Sequence, residues 1–539
     1  MRPEPAFLAR LALACTLVAL GPSIRAETLR VGPGKPYASL QAVANLLDPG
    51  DVVEVDGDFT YTGGVILTRS GTPAQKITIR GVRINGNRPR LVGGTNTIEF
   101  RLADHYVFEQ FDVSGGSFRC IYHHADDLTV RDVVVHDCPA HGILGADQDS
   151  GSLLLERVEV HHCGSGTTQH QIYVATDEVS HPGSVFRMRH CYVHDATGGN
   201  NVKSRAERNE IHYNWIEGAL YHELELIGPD PGGAPAGWSE DLAREDSDIV
   251  GNVLLKRNTF NVVRIGGDGT GQSNGRYRFV NNTILAGTSA VFRIFDGIQS
   301  VEMHNNVIHR ADGGVVNLVR QVEAAWTDGE QISGSRNWTT TGSINIPAAW
   351  TGTATGASPG FTSIAANDLR PVAGSPLLDR ANASPASATA FPFPQPLFPP
   401  AFNAPSHAVE SVALGRTRDC GIDIGAYERS PVKLATWGLV WPDETTLAWP
   451  ATPGATSYDV VKGSLDALAA SGGDFTSSID ACLANDAAAT SVHEIDVPPA
   501  GEAFFYLVRP APGGTYDETC PGALPPRDAS IAASPLACS

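Results

Sequence analysis

Apolar and polar residues alternate along most of this chain in short runs, and the runs repeat. From about Ile77 the segments FEQFDVSGG, VRDVVVHDC, LERVEVHHC, MRHCYVHDA, IHYNWIEGA, IVGNVLLKR, FVNNTILAG and MHNNVIHRA align on shared apolar positions. The alignment superposes Phe111, Val133, Val158, Cys191, Asn214, Asn252, Asn282 and Asn306 at unequal intervals. A constant core pattern with unequal spacing means stacked strands joined by loops of different length. After each segment come a turn and a further short run, such as HGILG, HQIYV, NNVKS, YHELEL, FNVVRI and AVFRI. Period-two alternation predicts strands with one buried face, and no long helical period competes with it. The chain is therefore expected to be all-β, a parallel β-helix with two or three strands per winding. The aligned asparagines fall at turns, where stacked amide side chains can hydrogen-bond from winding to winding.

The two ends have a different texture. ETLRVGPGKPYASLQAVANLLDPGDVVEV predicts a short strand, a turn over Gly32 to Pro36, an amphipathic helix N-capped by Ser39 and ending near Asp48-Pro49-Gly50, and a strand from Val52 to Val55. Such a helix would cover the open end of a coil of strands, which otherwise exposes unpaired backbone groups. Beyond Pro431, TTLAWPATPGATSYDVVKGSL and FFYLVRPAP predict the strands of a small sandwich with Trp449 and Tyr458 in its core. At the other extreme, Arg2 and Arg10 precede the apolar run LALACTLVAL, and cleavage after Ala26 makes residues 1–26 an export signal. That run is too short to span a bilayer, and no later stretch is long enough. The chain thus divides into a signal at 1–26, a helix of strands at 27–430 and a small β module at 431–539.

Composition narrows the partners. A net charge of −20 over 539 residues argues against nucleic acid and anionic membrane surfaces. An anionic polysaccharide would then need a local basic patch or a divalent cation. The export signal places the protein outside the cell, at its surface or in the periplasm, and it is expected to act as a monomer. Of 9 cysteines all but Cys15 survive cleavage, an even number for which disulfides are expected. Cys138 and Cys163 occupy equivalent positions one winding apart, so either a disulfide between windings or two stacked buried thiols fits. Cys482, Cys520 and Cys538 leave one over unless it reaches Cys420.

Most of the candidate chemistry lies between His170 and Gly228. Around Ile172 and Val174, Val202, and Leu224 and Leu226, alternation turns Gln171, Tyr173, Lys203, Arg205, Tyr221, Glu223 and Glu225 outward. Strands stacked in register would join them into one polar column. Glu223 and Glu225, two residues apart, could bind calcium through oxygen ligands. The long insertion from Ile227 to Asp248 is expected to wall a groove, with Trp238 stacking on a sugar ring. Arg264 and Arg293 would extend the column toward further substrate carboxylates, or else pair with Asp268 or Asp296. His170 and His222 could sit toward the core side of their strands. His136, His161, His162 and His194 recur at turn positions and read as turn residues in preference to metal ligands. Asp177 with Glu223 and Glu225 forms an acidic trio open to an inverting hydrolase.

VGPGKPYASLQAV, the windings, GSPLLD at Gly374 to Asp379 and CGIDIGAYE at Cys420 to Glu428 resemble secreted bacterial proteins of the pectate-lyase-like superfamily, which fold as right-handed parallel β-helices. The resemblance covers roughly residues 27 to 430, and in such proteins a strand ending in DIGAYE closes the helix domain. Lys203 in NNVKSRAERNEI resembles the catalytic lysine of chondroitinase-B-like and alginate lyases. That implies β-elimination on a uronic-acid polymer with Lys203 as base. On the outward column Tyr173 or His170 would be the proton relay and Arg205 a neutraliser, and Tyr221, Trp238, Arg264 and Arg293 would hold substrate. The family places an arginine about one coil later, where this chain reads ELELIG. Its acidic pair lies before the lysine, whereas Glu223 and Glu225 follow it. The tail is similar to fibronectin type III-like modules. The competing class is a non-catalytic, adhesin-like carbohydrate binder, and an inverting glycoside hydrolase is a second alternative.

Overall fold

The computed structural model describes residues 26–239, 242, 245–295, 297–322, 332–416, 421–429, 438–452, 454–516 and 527–538. The expected export signal lies, apart from Ala26, outside the described residues. Among the described residues, three parallel sheets of 13, 12 and 10 strands stack winding upon winding. One winding runs Val185–Arg189, Tyr192–His194 and Val202–Arg205, one strand to each sheet. Inward residues such as Phe186, Met188, Val193 and Val202 are fully buried and belong to one continuous core. This is the parallel β-helix that the alternation predicts.

The corner between the 13-stranded and 12-stranded sheets repeats one device. Gln110, Asp132, Arg157, His190, Tyr213, Asn281 and Asn305 each adopt a left-handed conformation, with φ between 50° and 65° apart from small differences among them, and Gly251 does the same at 68°. The next residue then points inward, which is why Phe111, Val133, Val158, Cys191 and the asparagines align. The ladder runs Asn214, Asn252, Asn282, Asn306 and on to Asn337, each Nδ2 donating to the next Oδ1 at 2.9, 3.0, 2.9 and 3.0 Å. Each Oδ1 also accepts the preceding asparagine's backbone N–H at 2.9 to 3.0 Å. Left-handed tolerance is therefore needed one position before the ladder.

The amphipathic helix after Ser39 is not formed. A 3-10 turn at Leu40–Ala42 and the turns after it, closed by short-range bonds such as Leu46 N–H to Val43 O at 2.8 Å, carry Leu40, Val43, Ala44 and Leu47 onto the core, and the Ser39 side chain makes no cap bond. The apolar face is kept without an α-helix. Cys138 pairs with Cys120, not with Cys163; Cys163 and Cys191 are buried free thiols. In the tail Cys482 pairs with Cys538, while Cys420 and Cys520 lie outside the described residues.

The DIGAYE segment forms no strand. It packs on the outer side of the 12-stranded sheet: Gly425 N–H donates to Asn305 O at 2.9 Å, and Ile424 and Tyr427 are buried beside Val307 and Leu285. The tail holds two three-stranded antiparallel sheets. One orders Val440–Asp443, Thr446–Ala448 and Ser491–His493; the other orders Ile479–Ala487, Ser457–Ser464 and Phe504–Ala511. Trp449 and Tyr458 are buried there with ring centroids 5.6 Å apart, as expected for core aromatics. Among the described residues no helix is long and apolar enough to cross a membrane.

Candidate functional site

The 10-stranded sheet sets the site through its register. Ile172–Ala175, Val202–Arg205, Leu224–Ile227, Val263–Gly266 and Phe292–Phe295 are neighbours in that sheet. Tyr173 pairs with Lys203, Lys203 with Glu225, Glu225 with Arg264, and Arg264 with Arg293. Side chains at paired positions project to the same face, so these five form one outward column. They line a groove of about 520 Å³ together with His170, Asn200, Arg205, Tyr221, His222, Phe260, Asp268 and Thr270.

Within the groove Lys203, Arg205 and Arg264 are all paired with carboxylates. Lys203 Nζ lies 2.9 Å from Asp268 Oδ2 and 3.4 Å from Glu225 Oε2, and 5.3 Å from the Tyr173 ring centroid. Arg205 sits beside it: Nη2 donates to the same Asp268 oxygen at 3.0 Å and to Thr270 Oγ1 at 2.7 Å, and Nε donates to the Tyr173 hydroxyl at 3.0 Å. Burial pushes the Asp268 carboxyl up, but Arg205 and Lys203 outweigh it and hold that group well below the usual carboxylate range. Arg264 Nη1 reaches Glu225 Oε1 at 3.0 Å, and Asn200 Nδ2 donates to Glu225 Oε2 at 2.6 Å. Arg293 stacks on Phe295 at 5.2 Å, and its Nε is buried without a hydrogen-bond partner.

Two uncharged groups on this wall carry hydrogen-bond donors. Burial raises the Tyr173 phenol to about 12, and because its oxygen accepts from Arg205 its own hydrogen is free to turn into the groove. His170 is 2% exposed, and burial, reinforced by Lys203, lowers it well below the ordinary histidine value. Its Nδ1 accepts the Asn200 backbone N–H at 3.0 Å, which leaves the proton of the neutral ring on Nε2. His222 is likewise buried in the wall and kept neutral, first by burial and then by Arg264.

Gln171 and Glu223 do not face outward. They sit at the corner just before their strands and form a buried ladder in which Gln171 Nε2 donates to Asn201 Oδ1 at 2.8 Å and Asn201 Nδ2 donates to Glu223. Glu223 is fully buried, and Lys256 Nζ lies 3.1 Å from its Oε1. Glu223 and Glu225 therefore do not converge, and each is already engaged by cations, so the pair does not fit calcium. Asp177 is also committed, its carboxylate accepting the backbone N–H groups of Asp149, Val179 and Ser180 at 2.8 to 3.0 Å. The acidic trio is thus dispersed.

Trp238 lines an adjoining cavity of about 360 Å³ with Pro229, Pro231 and Thr270, and its indole N–H donates to Glu178 at 3.3 Å. Pro229 and Pro231 do place the insertion beside the site, and Asp230 lines the main groove. Arg264 pairs with Glu225, not with Asp268; Asp296 lies outside the described residues. Sequence reasoning missed Asp268 as the partner of Lys203 and Arg205, because it reaches them from a turn more than sixty positions later. Its only legible signal was the polar turn GGDGTG.

His136, His161 and His194 end the strands Val134–His136, Glu159–His161 and Tyr192–His194 of the 12-stranded sheet instead of occupying turns. His162 does take a left-handed corner position, with φ 51°.

The chain is similar to the pectate lyase Pel9A, with 11% identity and a TM-score of 0.44 over 76% of this chain and 98% of that one. It is similar to an alginate lyase from Paenibacillus sp. str. FPU-7, with 13% identity and a TM-score of 0.36 over 61% of this chain and 99% of that one. It is also similar to a GH136 lacto-N-biosidase from Eubacterium ramulus, with 12% identity and a TM-score of 0.37 over 61% and 68%. No family model and no curated protein matches the chain.

Proposed function

We propose that this groove binds a uronic-acid-containing polysaccharide and cleaves it by β-elimination. The observation that carries the reading is the adjacency of Lys203 and Arg205, held together through Asp268, in the middle of an open column that continues with Arg264 and Arg293. A substrate carboxylate entering between Lys203 and Arg205 competes with Asp268 for both. Arg205 then neutralises the uronate, which acidifies the neighbouring C5–H. Once Asp268 is displaced, Lys203 Nζ passes one proton to solvent and, as the free amine, takes the one at C5. The electron pair of that bond forms the C4–C5 double bond, and the C4–O bond breaks. The leaving oxygen takes a proton from the Tyr173 hydroxyl, while neutral His170 can offer it a hydrogen bond through Nε2–H. Tyr221, edge-to-face with Phe260 at 5.1 Å, borders the groove where a sugar face would rest. No step is assigned to calcium. The expected export signal, an extracellular location, a monomeric state and a fibronectin type III-like role for the tail as spacer or attachment module complete the reading.

A second reading, binding without cleavage, draws on the pairing of Lys203, Arg205 and Arg264 with Asp268 and Glu225. Incubating the full chain with alginate, pectate and glycosaminoglycans separates the two. New ultraviolet absorbance from an unsaturated uronate product is the expected result. Retention of a polymer without that absorbance would establish the binder, and reducing ends without it would establish a hydrolase.

A further inference from the structure

The 12-stranded sheet carries a second cluster, on a different wall from the groove. His136, His161 and His194 occupy paired positions on three successive strands, so their rings stack with centroids 5.1 and 5.0 Å apart. The three are not equivalent. His136 has both nitrogens engaged, Nε2 by Asp112 at 3.0 Å and Nδ1 by Asp137 at 2.8 Å. Next along, Glu159, His161 and His194 each offer a ligand atom, and these atoms lie within 4.8 Å of one another. All three side chains are half-buried, so solvent ions reach them.

We propose that Glu159, His161 and His194 form a transition-metal site of the zinc class that links two neighbouring windings. Glu159 and His161 belong to one strand and His194 to the next, so one ion would bridge the sheet. The spacing of one ligand pair already suits it. His194 Nε2 lies 3.2 Å from Glu159 Oε1. Zinc bonds of about 2.0 to 2.2 Å at tetrahedral angles put nitrogen and oxygen ligands about 3.3 Å apart, so the ion takes the position of the shared proton. His194 Nδ1 lies 2.8 Å from Asp195 Oδ2, the outer carboxylate that orients a metal-bound imidazole. His161 Nδ1 lies 2.7 Å from His162 Nδ1, which fixes the plane of the third ligand. Two imidazoles and one carboxylate select zinc, nickel or copper; calcium requires an all-oxygen shell. Three protein ligands leave one position for water.

The test is titration of zinc into the untagged full chain after chelator treatment, followed by calorimetry, with calcium as the comparison ion. One equivalent of zinc is expected to bind and to raise the melting temperature, since an ion that binds only the folded state stabilises it. Glu159→Gln and His161→Ala should each weaken zinc at least tenfold, whereas His136→Ala should leave it within about twofold. Melting of each variant without zinc, at the wild-type temperature, shows that the fold is intact; if His161→Ala fails this, Glu159→Gln decides. No zinc binding by the wild type, equal affinity for calcium, or unchanged affinity in both ligand variants would overturn the site.

Discussion

Lys203 is clamped between two carboxylates before substrate arrives, with Asp268 at 2.9 Å and Glu225 at 3.4 Å. The role of Lys203 therefore turns on whether Asp268 can be drawn away, which a competing uronate on Arg205 would do. Alternation in the sequence correctly turns Tyr173, Lys203 and Glu225 into the groove. It fails at Gln171 and Glu223, because the strands begin one residue later, at Ile172 and Leu224, and the corner residue turns into the interior. A buried acid elsewhere gives a prediction at this scale. Glu178, 5% exposed and in contact with Trp238 of the insertion, is raised to about 7, by burial first and then by Glu207. A carboxyl whose folded value lies above its unfolded one binds more protons when folded, so its stabilising contribution is full below about pH 4.5 and is lost as pH rises through about 7. Melting temperature measured from pH 5 to 8 should therefore fall more for the wild type than for Glu178→Gln; parallel curves would contradict this assignment.

At the scale of elements, strands and their order were legible because a period of two and a repeating corner are properties of neighbouring residues. The asparagine ladder was legible for the same reason, though its last rung, Asn337, lies beyond the aligned segments. The N-terminal cap was not: Leu40, Val43, Ala44 and Leu47 have helical spacing, and a 3-10 turn with successive turns satisfies the same burial. Within the ladder, Asn282 donates to Ile249 O and Asn306 Oδ1 and accepts from the N–H and Nδ2 of Asn252, all at 2.9 to 3.0 Å. Asn282→Ala removes these bonds and leaves buried donors unpaired, each worth about 1 to 3 kcal/mol. Equilibrium unfolding in urea should show a loss of about 3 kcal/mol, and a loss below about 1 kcal/mol would mean that the ladder is not a structural spine.

Over the whole molecule, a chain of net charge −20 keeps a cationic column in one groove and a histidine ladder on another wall. The stacking that makes the fold readable also places these side chains in rows, which is why the column could be anticipated. The partners that decide its chemistry could not be, since Asp268 and Asp230 arrive from loops whose lengths follow no period. The central claim is that Lys203 removes the C5 proton of a bound uronate. The most direct measurement is the initial rate of unsaturated-uronate absorbance for the wild type and for Lys203→Ala on the polymer the wild type retains best. The account predicts steady product formation by the wild type and a loss of at least a hundredfold in the variant at unchanged melting temperature. A variant that cleaves at the wild-type rate, or a wild type that forms no unsaturated product from any uronate polymer, would contradict it.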